Sequence, residues 1–232
     1  MNLNLKDLEK KLQIDFKDKK LIKKALTHRS YLNEHRNYKL EHNERFEFLG
    51  DAVLELIVTE YLFDKFPHKP EGELTNLRAA LVKGENLTKI AKELKLGDFL
   101  YLSRGEAKGG GRSRSYILAN TVEAVIGAIY LDQGYNRVKV FIEENIIKEL
   151  PVIIEDQLFK DPKSLFQEKA QEQEGITPSY ELVSQKGPDH DKFFEIGVFL
   201  EDEFVAKGKG KSKQEAQQMA AKKALEKKGW SD

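Results

Sequence analysis

The apolar residues of this chain change their spacing once, and that change constrains the fold more than any other feature. Up to about residue 150 they recur at intervals of three and four: Leu21, Ile22 and Ala25; Phe46, Leu49, Val53 and Leu56; Leu118, Val122, Val125 and Ile129. At 3.6 residues per turn, this spacing lays each set along one face of a helix. Beyond residue 160, Phe194, Ile196, Val198 and Leu200 alternate, as the inner face of a strand requires. Two periods confined to two stretches imply an all-α domain followed by a small α+β domain. The first spans residues 1–150, a linker around Pro151 spans 151–160, and the second spans 161–232.

Punctuation residues refine this. Gly97 is expected to close a helix running from about Glu85, and Gly134 another ending at Leu131. Gly109-Gly110-Gly111, followed by Arg112 and Arg114, reads as a flexible basic loop. In the second domain Asp161 caps a helix with Pro162 at its first position, and Gly175 ends it. Strands follow at Ser179–Lys186, around Phe194–Leu200 and at Phe204–Lys207, separated by Gly187-Pro188-Asp189-His190 and by Glu201-Asp202-Glu203. Ser212 and Glu215 form a capping box that opens a last helix ending near Gly229, with Ala216, Met219, Ala220, Ala224 and Leu225 as its inner stripe. The order is α-β-β-β-α.

Composition excludes several chemistries. There are no cysteines, so disulfides, thiolate metal sites and cysteine nucleophiles are all ruled out. No apolar run is long enough to span a membrane, and the amino-terminal segment is charged; a soluble, cytoplasmic protein is expected. The 39 basic and 39 acidic residues cancel, but not locally. From Val205 to Lys228 there are 8 lysines and 2 glutamates, while carboxylates gather in Glu41–Glu73 and Glu168–Glu174. An acidic metal site and a basic phosphate-binding site on one chain produce this pattern, and so do ordinary solvated helices.

The most informative segment is Asn43-Glu44-Arg45-Phe46-Glu47-Phe48-Leu49-Gly50-Asp51. Glu47 and Asp51 lie one turn apart on one helix face, and Glu44 extends the row. The surrounding run is too apolar for a freely solvated helix. Carboxylates partly buried there are costly unless they are protonated or neutralised by a cation. A second apolar helix, Ile117–Gly127, carries Asn120 and Glu123 on one face. Packed together, the two helices would converge four oxygen-bearing side chains, a donor set suited to magnesium or manganese and to phosphodiester hydrolysis. Taken singly, each carboxylate is equally a surface ion-pair partner.

Glu44–Asp51 resembles the signature of the ribonuclease III family, and Ala119–Ala128 is similar to that family's second acidic element. Thr27-His28-Arg29-Ser30 and Glu71-Gly72 fit the same pattern, and the likeness covers essentially the whole chain. It implies that Glu47, Asp51, Asn120 and Glu123 hold Mg2+, with Mn2+ as a substitute, and that Asp51 and Glu123 are the catalytic positions most sensitive to change. It implies supporting acidic roles for Glu44 and Glu71. Many members have aspartate where this chain has Asn120, which makes the site one charge weaker. The family further implies a homodimer with Phe48 as an apolar knob, although Phe48 by itself is equally a core residue. It implies cleavage of double-stranded RNA to staggered 5′-phosphate and 3′-hydroxyl ends, with ribosomal RNA precursors among the substrates.

The segment from Lys163 to Lys228 resembles a double-stranded-RNA-binding domain. That likeness implies that Ser164, Gln167, Glu168 and Gln171 meet 2′-hydroxyls in the shallow minor groove and that His190 reaches the next one. Lys209, Lys211 and Lys213 would hold phosphates across the major groove between them. Any one of these lysines, or His190, is also an ordinary surface residue. Two other function classes stay open: a non-catalytic RNA-binding protein with a decayed nuclease domain, and a metal-dependent phosphohydrolase of small molecules. No organic cofactor is expected, since no nucleotide-binding glycine motif is present.

Overall fold

The computed structural model describes residues 4–155, 157, 159, 161–188 and 192–230; His190 and Asp189 lie outside the described residues. The chain divides into two compact units, Met1–Phe159 and Lys160–Asp232.

The first unit is helical: α1 (Leu5–Leu12), α2 (Lys19–Ala25), α3 (Arg29–Glu34), α4 (Glu44–Lys65), α5 (Glu71–Val82), α6 (Gly84–Glu93), α7 (Arg104–Lys108), α8 (Ser115–Gln133), α9 (Tyr135–Asn145) and α10 (Leu150–Glu155). α8 is apolar on nearly every side and forms the centre of the core: Ile117, Leu118, Val122, Val125, Ile126 and Ile129 are all buried. Its internal Thr121 bonds back to the Ile117 carbonyl at 2.6 Å, so no polar group is stranded. α4 lies along α8 and buries Phe46, Val53, Leu54, Ile57, Val58 and Leu62. Fully burying a side chain such as Ile57 contributes about 1.5–3 kcal/mol. Leu56 was expected in this stripe but faces outward, with Phe48 and Phe63. α4 carries apolar residues on two faces, and periodicity alone does not say which one meets the core.

Three further expectations change. α6 ends at Glu93, and Lys95 takes the left-handed conformation (φ 55°) before a 3-10 turn at Leu96–Phe99, so Gly97 is not the cap. The glycine-rich loop is held in place: the Arg112 guanidinium donates to the Gly97 carbonyl at 2.7 Å, and Arg114 donates to Glu106 and to the Gly109 carbonyl. Its arginines thus pin the loop to the fold. The expected linker begins as α10, whose Leu150 and Ile153 are buried in the first unit's core.

The second unit contains α11 (Pro162–Glu174), β1 (Ser179–Lys186), β2 (Phe193–Leu200), β3 (Glu203–Gly210) and α12 (Lys213–Lys228). The strands form an antiparallel sheet in the order β1-β2-β3. Asp161 caps α11 through the Ser164 N–H at 2.9 Å, and Ser212 caps α12 through that of Glu215 at 3.1 Å. β3 outruns the expected Phe204–Lys207 because Gly208 and Gly210 still pair with Ile196 and Phe194. Ala216, Ala220 and Ala224 are buried between α12 and the sheet, with Phe166 and Val198 also in this core. Met219, expected in that stripe, is 40 % exposed; Leu225 is buried as expected, and Ala221, not expected there, is buried beside it.

Candidate active site and nucleic-acid interface

α4 and α8 meet at two glycines. A Cβ on Gly127 would lie 2.4 Å from the Phe46 carbonyl oxygen, and one on Gly50 only 1.7 Å from that of Glu123. Backbones this close leave no room for any other residue. The crossing sets the α4 residues flanking Gly50, which are Glu47 and Asp51, beside Asn120 and Glu123 of α8. Asn120 donates its side-chain amide to Glu47 at 2.9 Å, closing the join.

The electrostatics show that these groups share one locality. Burial is the main cause raising the proton affinity of Glu47, with the charges of Glu44 and Asp51 adding to it; the Asn120 bond opposes them. Glu123 is pushed up to about 7, first by burial and then by the charges of Asp51 and Glu47. Asp51 stands at the exposed rim. Glu44 lies farther out, 3.6 Å from Arg29 and 3.8 Å from His42. Glu71, exposed on the first turn of α5, accepts a bond from Thr75 at 3.0 Å and is not among the charges acting on Glu47 or Glu123. Among the described residues, no three His, Asp or Glu side chains stand ready as a metal cage.

A cleft of about 230 Å3 opens beside Glu47 and Asn120, lined also by Glu44, His28, Arg29 and Tyr116. Sequence reading registered Thr27–Ser30 only as part of a likeness and gave these side chains no task. The sole local signal was a histidine and an arginine at the start of a helix. Tyr116 carried none.

In the second unit Ser164, Gln167, Glu168 and Gln171 are all exposed on one side of α11, with Gln171 also donating to Thr177 at 3.2 Å. Lys209 lies on β3, where it and Lys207 share Glu195 at 3.6 and 3.2 Å. Lys211 and Lys213 are exposed at the start of α12.

Residues 18–150 match the family described as Ribonuclease-III-like, and residues 162–228 match the double-stranded RNA binding motif. The chain is 48% identical over 221 residues to ribonuclease 3 of Nitratiruptor sp., covering 95% of each chain. It is 48% identical over 223 residues to that of Carboxydothermus hydrogenoformans, covering 96% of this chain and 95% of the relative. The chain belongs to the ribonuclease III family. Its class is therefore that of the endoribonucleases, and its second unit is a double-stranded-RNA-binding motif on α-β-β-β-α architecture.

The helical unit resembles two solved structures of the ribonuclease III nuclease domain of Campylobacter jejuni. One has a TM-score of 0.58 and 46% identity, covering 64% of this chain and 97% of that one. The other, described for flexibility in a region involved in dimer formation, has a TM-score of 0.59 and 47% identity, covering 64% and 99%. In the present ribonuclease III family member the outward face of α4 exposes Phe48 by 81 %, Phe63 by 70 % and Leu56 by 59 %. Phe48 is thus not a core residue. Among the described residues no helix is long and apolar enough to cross a membrane.

Proposed function

We propose that the protein hydrolyses double-stranded RNA at the α4–α8 crossing with the help of a divalent cation, Mg2+ or Mn2+. The observation carrying this reading is the Glu123 carboxyl, forced up to about 7 by burial beside Asp51 and Glu47. Such a group keeps its proton or gains a cation. The donor set of Glu47, Asp51, Glu123 and the Asn120 amide consists of oxygens, which fit a hard dication. A bound dication would neutralise the cluster and supply Lewis-acid polarisation of a phosphodiester. The chain's own part is to fix these donors on two helices locked at Gly50 and Gly127, with Asn120 orienting Glu47. Glu44 supports the cluster from its rim. Glu71 has a supporting role only if a second subunit brings it close.

The exposed aromatic face of α4 is read as the surface of a homodimer, with Phe48 as its knob. Two sites in a symmetric pair would cut both strands of a duplex, leaving staggered 5′-phosphate and 3′-hydroxyl ends. The α11 face and Lys209, Lys211 and Lys213 would bind the duplex by shape and charge. Ribosomal RNA precursors and other structured transcripts in the cytoplasm are the proposed substrates. The test is incubation with a long RNA duplex, first with magnesium and then with chelator. Metal-dependent cutting of both strands is expected, and tight binding without cutting would instead mark a decayed nuclease.

A further inference from the structure

A second cavity in the helical unit shares no lining residue with the acidic cleft. It measures about 350 Å3, inside the roughly 300–1,000 Å3 range of small-molecule sites. Tyr31, His35 and Tyr101 wall it, Leu102 adds apolar surface, and Arg104 and Arg112 bring positive charge. Among the described residues no carboxylate lines it.

The aromatic walls are held in place by the fold itself. The His35 ring stacks on Tyr31, with centroids 3.8 Å apart and planes 14° from parallel, and its Nδ1 donates to the Tyr31 carbonyl at 3.0 Å. That stack uses one ring face, and the exposed side chain keeps the other open. Tyr101 meets Tyr31 edge-on at 5.3 Å. Its backbone is pinned on both sides: the N–H donates to the Leu26 carbonyl at 2.9 Å, and the carbonyl accepts from His28 at 3.1 Å. The Tyr31 and Tyr101 hydroxyls have no hydrogen-bond partner among the described residues. Burial, the main cause raising the proton affinity of both, keeps them protonated as donors.

The charges are equally available. Glu34 accepts the backbone N–H of Arg104, at 2.9 and 3.1 Å, and leaves its exposed guanidinium without a partner among the described residues. Arg112 spends Nη1 on the Gly97 and Asp98 carbonyls, at 2.7 and 3.3 Å, and keeps its charge. Such a lining repels a metal ion, and a purely apolar ligand would leave the Arg104 fork unmatched. An open aromatic face beside a free guanidinium suits an aromatic base that carries a phosphate. Duplex RNA keeps its bases stacked and paired, so a base free to enter comes from a nucleotide in solution.

We propose that this cavity binds a free purine nucleoside monophosphate, with the base against the His35 and Tyr101 rings and the phosphate on the Arg104 guanidinium. The site is separate from the acidic cluster, and its occupancy needs no metal.

Equilibrium dialysis of the full-length protein against labelled guanosine monophosphate, with chelator present to keep metal-bridged phosphate off the acidic cluster, tests this. One saturable site per chain is expected. Guanosine lacks the phosphate and ribose 5-phosphate lacks the base, and each should bind about tenfold more weakly. Cytidine monophosphate should fall between, since its ring offers less area to stack. Arg104→Gln, at an exposed side chain, should lower guanosine monophosphate affinity to that of guanosine and leave guanosine itself unchanged. His35→Ala should weaken guanosine monophosphate and leave ribose 5-phosphate unchanged. Absence of saturation, or guanosine monophosphate binding that either variant leaves as it was, overturns the proposal. If R104Q instead weakens only a duplex with unpaired 3′ nucleotides, the cavity serves RNA ends and the free-nucleotide assignment is wrong.

Discussion

Asn120 and Glu47 join α8 to α4 through one hydrogen bond, amide to carboxylate, at 2.9 Å. The bond supports Glu47 as an anion against the burial that disfavours it. Asn120→Asp would remove this donor and add a fourth carboxyl. The metal-free variant should lose about 1 kcal/mol at neutral pH, the usual net worth of such a bond. Magnesium should stabilise it more than it stabilises the wild type. Melting curves with and without magnesium check both statements, and an equal response in the two proteins would remove Asn120 from the ligand set.

Glu123 gives the pH dependence its sign. A folded-state value of about 7 lies above the ordinary carboxylate value near 4.3, so the folded state binds the proton more tightly. The associated stability is present in full below the unfolded value and is lost as pH rises through about 7. Because the group is only half-buried, we discount this to about 1 kcal/mol. Metal-free Glu123→Gln should therefore be more stable than the wild type at pH 8 and equal to it near pH 4. It should also lose nearly all cleavage while keeping its affinity for duplex RNA. Denaturant titrations across pH and a filter-binding assay read the two effects; loss of binding in parallel with cutting would defeat the division of labour between the units.

Gly50→Ala tests the crossing. A methyl 1.7 Å from the Glu123 carbonyl must push α4 and α8 apart, and such overpacking costs about 1–3 kcal/mol. Cleavage should fall by more than the lost stability explains, because Glu47 and Asp51 move away from Glu123. Activity measured well below the melting temperature distinguishes displacement from unfolding. Full activity in a destabilised variant would show that the site tolerates the shift.

Phe48 tests the dimer. It is 81 % exposed, so Phe48→Asp removes no core contact and the single subunit should keep its fold. Self-association should weaken by about 2 kcal/mol or more if the ring fills a partner pocket. Sedimentation equilibrium against concentration, with circular dichroism as the control, provides the comparison. Unchanged association would move the interface off this face.

Lys211 and Lys213 are expected to hold phosphates. Replacing each by alanine should lower the slope of log affinity against log salt by about 1. Lys209 should contribute less, since it is shared with Glu195 at 3.6 Å. A slope unchanged in the Lys211, Lys213 double variant would exclude them as phosphate contacts.

Much of the fold was legible because it depends on local spacing. The three-four interval of Leu118, Val122, Val125 and Ile129, and the alternation from Phe194 to Leu200, are backbone geometry written in side chains. The caps at Asp161 and Ser212 were legible for the same reason, since each involves only its own first turn. Glu47, Asp51 and Glu123 stood out as charges that their apolar neighbours do not explain.

Other features were settled only by which surfaces met. α4 is apolar on two sides, and only packing against α8 made Phe46 and Val53 core and left Phe48 and Leu56 outside. Arg112, in an apparent loop, became a donor because folding left the Gly97 carbonyl beside it. The His28 cleft is assembled from α3, α4 and α8, whose distance along the chain says nothing of their closeness in space. Local chemistry determined which elements this chain forms and which carboxylates resist burial. Long-range packing decided which faces meet, because burial energy depends on total area excluded from water and not on sequence separation.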